Sequence, residues 1–317
     1  MYTMQTAIQD FLNHCTFDKN LSFKTVKAYR TDLIQFSRFL RTKLIYSFDV
    51  REITKTEIQQ YVEYTAFLKA KSRKRKIATI KAMLNYLEFD DKIVSNPMRK
   101  VQIKIKEPFR LPRYLTINEI NEIFKAAYNE YNKENEKNIL NQTALRNLAI
   151  IELLFATGAR VSEISNLKND DIDLVTGKIS IKGKGNKERI IQISNTDTIQ
   201  LLNKYKQIFE SKILEANNFF FINRLKSKLS DQSIRCIVKI LSQKANITKK
   251  ITPHVFRHSF ATLLLENEVD IKYIQILLGH SSILTTQIYT HVNNHKINQI
   301  LKTRHPRKDI CVRLNNG

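Results

Sequence analysis

Glycine and proline are scarce in this chain, at 6 and 5 of its 317 residues. With so few helix breakers, and with many Ile, Leu, Lys, Gln and Asn residues, the composition favours a mainly helical protein. Cysteine is scarce too: Cys15, Cys236 and Cys311 lie far apart and form no Cys-x-x-Cys pair. This spacing argues against a disulfide framework and against a cysteine-rich zinc site, so we expect reduced thiols.

Long apolar runs are also missing. No segment approaches the roughly 20 apolar residues that a membrane span requires. The first residues, MYTMQTAIQDFLNH, lack the basic and then apolar pattern of a signal peptide. We therefore expect a cytoplasmic protein, and a length of 317 residues leaves room for two domains that each bury a core.

Acidic residues are outnumbered, because 53 Lys and Arg stand against 30 Asp and Glu and the formal net charge is +23. A charge of this sign attracts polyanions, and nucleic acid is the natural partner. Residues 1–106 carry a net charge of +11 and the remainder +12. Because both parts carry excess positive charge, both are expected to contact the polyanion. A basic tail, in contrast, would concentrate the positive charge at one end of the chain.

Two prolines mark a domain boundary. Pro108 and Pro112 break any helix within residues 107–113. We predict a helical domain over 1–106, a linker over 107–113 and a second domain over 114–317. In the first domain Ser22 precedes one helical pattern of apolar residues, and a capping box over 54–57 begins another.

A dense basic run follows that second helix and leads into a third. One interpretation is a charged helix face that only contacts water. The other is contact with a DNA backbone, because a block of like charges repels itself and an outside anion relieves the repulsion. The candidate residues for this contact are Lys69, Lys71, Arg73, Lys74, Arg75 and Lys76.

The second domain is predicted to combine helices with a small β-sheet. Residues 144–156 are apolar on nearly every side, which predicts a buried helix, ended by Gly158 and followed by Arg160. Period-two patterns predict a β-hairpin over 178–193 whose tip carries Lys184. Further predicted elements are helices over 196–215 and 230–245, with a short strand at 219–222 between them.

A helix with a basic first turn is predicted from Thr252, with Pro253 at its first position. His254 and Arg257 are three residues apart and share one face, where backbone N–H groups and the helix dipole favour an anion. This is a candidate phosphate site. The spacing of His254 and His258 would also suit a metal ion, but no zincin motif and no nearby Cys or carboxylate ligand accompanies it.

The stretch 277–292 places a histidine and a tyrosine across a tight joint. Gly279 is expected to end one helix, His280 follows it, and Tyr289 lies about two turns into the next helix. Taken alone, this is ordinary helix punctuation with a half-buried tyrosine. The candidate residues upstream also lie at the ends of elements, where side chains can converge on one site.

Together these residue types suit metal-free phosphoryl transfer. Two arginines can grip a phosphate, two histidines can exchange protons near neutral pH, a lysine can protonate a leaving oxygen and a tyrosine can attack phosphorus. Separate structural roles are the alternative: Arg160 as the ion-pair partner of Glu163, Lys184 as a solvated turn residue and His280 as a capping group. A Ser/His/Asp hydrolase would need a nucleophile elbow, which we do not find.

Four segments resemble, in order and spacing, the signature motifs of the tyrosine recombinases, particularly the bacterial Xer-type recombinases and related mobile-element integrases. They are TGARVSEI (157–164), GKGNKER (183–189), HVFRHSFAT (254–262) and LLGHSSILTTQIYTHV (277–292). The similarity extends from about residue 5 to 305–307 and covers almost the whole chain. It implies a mainly α fold with a small β-sheet, in which a helical core-binding domain and an α+β catalytic domain form a two-domain DNA clamp.

The resemblance also implies a role for each matched residue. Tyr289 would be the nucleophile that forms a 3'-phosphotyrosine and frees a 5'-hydroxyl, while Arg160 and Arg257 would hold the scissile phosphate. Lys184 would be the general acid, with Lys182 as its weaker alternative. His254 would act as general base or phosphate ligand, and His280 would donate a hydrogen bond to the phosphate. Glu163 would support Arg160.

The partner implied by the resemblance is double-stranded DNA with a specific recombination site, on which the protein would form a homo- or hetero-tetramer. The protein would be associated with the nucleoid, and it would need no ATP, metal or other cofactor. The terminal helix, 294–302, would dock on the next protomer or else pack on its own domain. A type IB topoisomerase would share the same site, and a catalytically silent DNA-binding accessory protein is the alternative from another class. The sequence does not separate chromosome or plasmid resolution from mobile-element integration.

Overall fold

The computed structural model describes residues 1–43, 49–107, 114–132, 139–183, 188–279 and 300–309. The chain divides into two compact units, residues 1–110 and 111–317. Helices dominate the described ranges, and the second unit contains a three-stranded antiparallel sheet. The predicted fold class, mainly α with a small β-sheet, is confirmed.

The first unit is a group of helices around one apolar core. The elements are α1 (Met4–Phe17), α2 (Phe23–Lys43), α3 (Lys55–Tyr64) and α4 (Ala70–Phe89), with short 3-10 turns at Val50–Glu52 and Pro97–Lys100. The predicted capping box begins α3, where the Thr54 N–H donates to Glu57 Oε2 at 2.8 Å. Across the core, the rings of Phe36 and Tyr61 meet edge-on at 4.9 Å between centroids, and both are buried.

The basic run forms the first two turns of α4. Asp32 on α2 is 0% exposed and accepts hydrogen bonds from Arg75 and, at 3.1 Å, from Lys76 Nζ. Lys76 is itself only 7% exposed, so its charge is enclosed and paired within the unit. We therefore remove Lys76 from the DNA-backbone candidates. Of the others, Lys69, Lys71, Lys74 and Arg75 are exposed and Arg73 is half-buried.

The second unit is built around α6, which is buried over residues 148–157 because its sequence is apolar on nearly every side. The helices are α5 (Ile117–Asn132), α6 (Ile139–Thr157), α7 (Val161–Asn166), α8 (Thr196–Glu215), α9 (Asp231–Lys244), α10 (Pro253–Glu266) and α11 (Ile271–Leu278). Helices α5, α8 and α10 pack around α6. The segment that leaves α6 is therefore anchored in the centre of the unit.

The predicted hairpin is present. The strands are β1 (Ile172–Asp173), β2 (Lys178–Lys182) and β3 (Glu188–Gln192), in the order β1-β2-β3. Ile179 pairs with Ile191 and Ile181 with Arg189, and the three isoleucines are each 1% exposed. The hairpin is thus fixed on the core along one face, while its tip at 184–187 lies outside the described residues.

The prediction of a strand at 219–222 is wrong. Phe219 bridges Lys168 and Ile222 bridges Lys228, as two isolated pairs. Phe220 and Phe221, which lie between them, are both 0% exposed. The segment is apolar because it is buried on both sides, and a regular strand does not form because each end pairs with a different neighbour.

The described end of the chain packs onto the second unit. Residues 300–304 are helical, and Leu301 is 1% exposed in the core of the unit. Arg307 donates to Glu152 through Nε and Nη2 at 2.9 and 2.7 Å, and the Tyr128 hydroxyl donates to the same carboxylate at 2.7 Å. Residues 300–309 therefore pack on their own domain, which is one of the two alternatives predicted for the terminal helix. Docking on a neighbouring protomer stays a prediction for 294–299, which lie outside the described ranges.

Candidate active site

Arg160 is positioned by a tight turn between α6 and α7. Gly158 ends α6 in the left-handed conformation, with φ +57°. A Cβ atom at this position would lie 2.5 Å from Phe260 Cδ1 and 2.9 Å from Leu278 Cδ2, so the turn requires glycine. Arg160 follows as the N-cap residue of α7, with its side chain 32% exposed.

Glu163 holds two arginines. It accepts hydrogen bonds from the backbone N–H of Arg160 at 2.7 Å and from its Nη1 at 2.8 Å. It also accepts from Nη1 and Nη2 of Arg189 on β3, at 3.1 and 2.8 Å. Burial raises the pKa of this carboxyl group, but the hydrogen bonds and charges of Arg189 and Arg160 outweigh burial and hold the pKa below its usual range. Glu163 is therefore an anion at neutral pH.

Arg257 lies on the first turns of α10 and is 6% exposed. Its Nη1 donates to the carbonyl of Gly158 at 2.8 Å, and its Nη2 donates to the carbonyl of Leu278 at 2.5 Å. Burial, together with the nearby charge of Arg160, lowers the pKa of Arg257 to about 10. The side chain stays cationic at neutral pH, and a bound anion would relieve the electrostatic strain of three neighbouring guanidinium groups.

Three consecutive carbonyls at the end of α11 each accept a hydrogen bond from a different arginine. The bonds run from Arg189 Nε to Leu277, from Arg257 Nη2 to Leu278 and from Arg160 Nη2 to Gly279, at 2.8, 2.5 and 3.2 Å. The last carbonyls of a helix have no partner within it and form the negative end of its dipole, so cations stabilise them. The three guanidinium groups therefore meet where the chain leaves α11 toward His280.

The remaining predicted catalytic residues are placed as follows. Lys184, His280 and Tyr289 lie outside the described residues. His254 is exposed on the first turn of α10. Lys182, at the end of β2, donates to Asp171 at 2.8 Å, and this hydrogen bond raises the pKa of Lys182. The structure thus brings Arg160 and Arg257 together beside Glu163 and Arg189.

Within the described ranges, no group of three or more His, Cys, Asp or Glu side chains is arranged to hold a metal ion. None of the helices in the same part of the chain is long and apolar enough to cross a membrane.

Two sequence families match the chain. The phage integrase family matches residues 113–296, and the phage integrase N-terminal SAM-like domain matches residues 8–89. The first match contains the arginine cluster and the segment with Tyr289. The chain belongs to the phage integrase family.

Curated members of this integrase family are similar over nearly their whole length. A tyrosine recombinase of Agathobacter rectalis is 44% identical over 310 residues, which are 98% of this chain and 99% of that protein. Tyrosine recombinase XerD of Staphylococcus saprophyticus is 36% identical over 308 residues, which are 96% of this chain and 100% of that protein. The chain is thus a tyrosine recombinase, an enzyme of site-specific DNA recombination.

Solved structures share the fold of this recombinase. The XerH recombinase in a post-cleavage complex with a palindromic difH substrate has a TM-score of 0.68 at 22% identity, covering 92% of this chain and 83% of that chain. A lambda integrase tetramer bound to a Holliday junction has a TM-score of 0.67 at 19% identity, covering 90% and 79%. These likenesses support the helical architecture with its small sheet.

Arg189 belongs to the arginine cluster at the end of α11, although the sequence motif alone suggested no role for it. Arg189 lies two residues before Ile191 and four before Ile193, and both isoleucines are buried. The period of two therefore puts Arg189 on the core face of the strand. A charged residue on that face was the signal that could have identified it.

Proposed function

We propose that this recombinase cuts and rejoins DNA at a specific site through Tyr289. The phenolic oxygen attacks the scissile phosphorus and its proton is removed, the bond to the 5'-oxygen breaks, and a 3'-phosphotyrosine and a free 5'-hydroxyl result. Attack by a 5'-hydroxyl of another strand reverses these steps and seals the new junction. The phosphate ester bond is conserved in the phosphotyrosine, so the reaction needs no ATP.

The observation that carries this proposal is the arginine cluster at the end of α11. Arg257 and Arg160 hold two adjacent carbonyls there, at 2.5 and 3.2 Å, and both stay close to the start of the segment that contains Tyr289. Their remaining N–H groups are proposed to bind the non-bridging oxygens of the phosphate. By analogy with one oxyanion donor, each is expected to contribute about 3 kcal/mol of transition-state stabilisation.

The proton for the 5'-oxygen is proposed to come from Lys184 at the hairpin tip. Lys182 is the weaker alternative, because its pKa is raised by Asp171 and a higher pKa makes an ammonium group a poorer acid near neutral pH. His254 is proposed to act as general base or phosphate ligand. His280 is proposed as a hydrogen-bond donor to the same phosphate.

DNA is proposed to contact both domains, because the excess of positive charge is shared between them. In the first domain the proposed backbone contacts are Lys69, Lys71, Arg73, Lys74 and Arg75. Assembly as a homo- or hetero-tetramer on DNA, as in the lambda integrase complex, is the proposed active state. The protein would then act in the cytoplasm, where it would be associated with the nucleoid.

The test begins with covalent capture of genomic DNA by the wild-type protein, followed by sequencing of the DNA joined to it, which identifies the recombination site. A nicked duplex with that site then serves as substrate. Tyr289→Phe is expected to bind this duplex with unchanged affinity and to form no covalent adduct. An adduct formed by that variant would refute the assignment of the nucleophile.

Two alternatives make different predictions. A type IB topoisomerase would relax supercoiled DNA without joining strands from two duplexes, so a mixture of two differently labelled duplexes separates it from a recombinase. A silent accessory protein would form no adduct even as wild type. The sequence of the captured site, next to a chromosomal resolution locus or at a mobile-element end, would show which biological role the recombinase serves.

A further inference from the structure

Arg189 links three parts of the catalytic domain through one guanidinium group. The residue lies on β3, its Nη1 and Nη2 contact both carboxylate oxygens of Glu163, and its Nε contacts the carbonyl of Leu277. The side chain is 11% exposed. Arg189 therefore connects the hairpin with the first turn of α7 and with the end of α11.

The space around this guanidinium is closely filled. Gly279 has φ +61°, and a Cβ atom there would lie 3.1 Å from Arg189 Nη1 and 3.3 Å from its Cδ. A side chain at position 279 would therefore crowd Arg189 as well as strain the backbone. The fit indicates that the end of α11 and β3 are held in one arrangement.

The position of Arg189 along the strand matters for the hairpin tip. The part of the hairpin farther from the tip is fixed in the core by three buried isoleucines, Ile179, Ile181 and Ile191. Arg189 pairs with Ile181. Beyond this pair, Lys182 on β2 and Glu188 on β3 are both exposed. Arg189 is thus the last inward-facing attachment of β3 before the segment that carries Lys184.

Loss of Arg189 would leave the Arg160–Glu163 contact in place. Glu163 still accepts from the Arg160 N–H and from its Nη1, at 2.7 and 2.8 Å, and these bonds are local to the first turn of α7. The link between the hairpin and the rest of the site, in contrast, would lose all three of its hydrogen bonds. The effect of the loss should therefore fall on the hairpin.

We propose that Arg189 is a positioning residue that fixes β3 of the hairpin against α7 and the end of α11, so that its loss impairs the protonation step assigned to the hairpin. This inference rests on the proposed function. Arg189 acts through the hairpin rather than on the phosphate, because three of its donors are already engaged with Glu163 and Leu277 and it is less exposed than Arg160.

The test compares two leaving groups in single-turnover cleavage of the nicked site. One duplex has the ordinary phosphodiester, and the other has a 5'-bridging phosphorothiolate, whose thiol has a pKa near 8.5 and departs without a general acid. The variants are Arg189→Gln, Arg189→Lys and Lys184→Ala. Lys178→Gln is the matched control, because Lys178 is an exposed cation on β2 of the same sheet.

Arg189→Gln is expected to slow cleavage of the phosphodiester by on the order of 10²-fold and that of the phosphorothiolate by no more than about threefold. Arg189→Lys should show the same pattern, because a lysine keeps the charge but cannot span both oxygens of Glu163 and the Leu277 carbonyl. If Arg189→Gln does not fold, as judged by thermal unfolding, Arg189→Lys decides. Equal slowing on both substrates, or no slowing on either, would overturn the proposal.

Lys184→Ala distinguishes this proposal from the proposed function. If the phosphorothiolate does not restore its cleavage, Lys184 is not the general acid and that part of the proposed function fails. If the phosphorothiolate restores cleavage by the Arg189 variants in the same experiment, the positioning role of Arg189 is still supported, and another residue of the hairpin is the general acid. Wild-type protein without any covalent adduct would instead refute the proposed function itself.

Discussion

The Arg257 guanidinium and the Leu278 carbonyl are joined by a hydrogen bond of 2.5 Å. Leu278 is the last residue of α11, and the same guanidinium also binds the carbonyl of Gly158 at the end of α6. One buried side chain thus ties together the two segments that lead to Arg160 and to His280. In its proposed role as a phosphate ligand, Arg257 would therefore need little reorganisation when the substrate binds.

Arg257→Lys is expected to reduce single-turnover cleavage by on the order of 10²- to 10³-fold. The three donors of an ammonium group share one nitrogen, so it cannot span both carbonyls and a phosphate as the planar guanidinium fork does. The measurement is adduct formation on the nicked site under saturating protein. Arg304→Lys is the control: Arg304 also donates to backbone carbonyls, of Asn267 and Glu268, but lies on the surface. Cleavage by Arg257→Lys at the rate of this control would contradict the role of Arg257.

Features with a local sequence signal were predictable. The capping box over 54–57, the buried helix α6 and the hairpin β2–β3 all follow from patterns within a few residues. The contact between Arg160 and Glu163 belongs to the same class, since the two residues are three apart at a helix start.

Features that depend on packing were not predictable. Lys76 lies in a charge run, and only the packing of α2 on α4 shows that Asp32, 44 residues away, encloses it. The pairing of Glu152 with Arg307 spans 155 residues. Arg189 likewise reaches Glu163 and Leu277 from a different element. In each case the deciding contact joins residues that no local pattern relates.

His305 links stability to pH. Its Nδ1 accepts from the Arg307 N–H at 3.0 Å, so Nε2 carries the proton and donates to the Ala156 carbonyl at 3.0 Å. Burial lowers its pKa from 6.5 to about 4. Because the folded pKa is below the unfolded one, the unfolded chain takes up the proton first as pH falls. The free energy of unfolding should therefore decrease from pH 6.5 to 4, by up to about 3 kcal/mol.

Urea unfolding between pH 7 and 4.5 measures this effect. His305→Gln is expected to remove most of the slope in that window, since glutamine does not titrate. Carboxylates such as Glu163, whose pKa is lowered from 4.5, contribute their loss of stability at lower pH. An unchanged slope in His305→Gln would show that other groups cause the pH dependence.

Removal of only one partner of the buried Arg307–Glu152 ion pair should strongly lower the free energy of unfolding. Their side chains are 2% and 0% exposed. Arg307→Met is expected to lower the free energy of unfolding by about 3–5 kcal/mol, because the Glu152 carboxylate loses its cation inside the core. In Glu152→Gln with Arg307→Met no charge remains, so the loss should be smaller than the sum of the single losses. Additive losses in urea unfolding would indicate that the two side chains act independently.

Lys71 and Lys76 should separate DNA binding from folding, because one is exposed on α4 and the other is enclosed beside Asp32. Lys71→Gln is expected to lower the slope of log affinity against log salt by about one and to leave stability within about 0.5 kcal/mol. Lys76→Met should leave the slope unchanged and lower the free energy of unfolding by about 1–3 kcal/mol, since Asp32 loses a buried partner. Titration of fluorescent duplexes at several salt concentrations, combined with urea unfolding, measures both quantities. A Lys76→Met variant with unchanged stability and a reduced salt slope would mean that its ammonium leaves Asp32 to contact DNA.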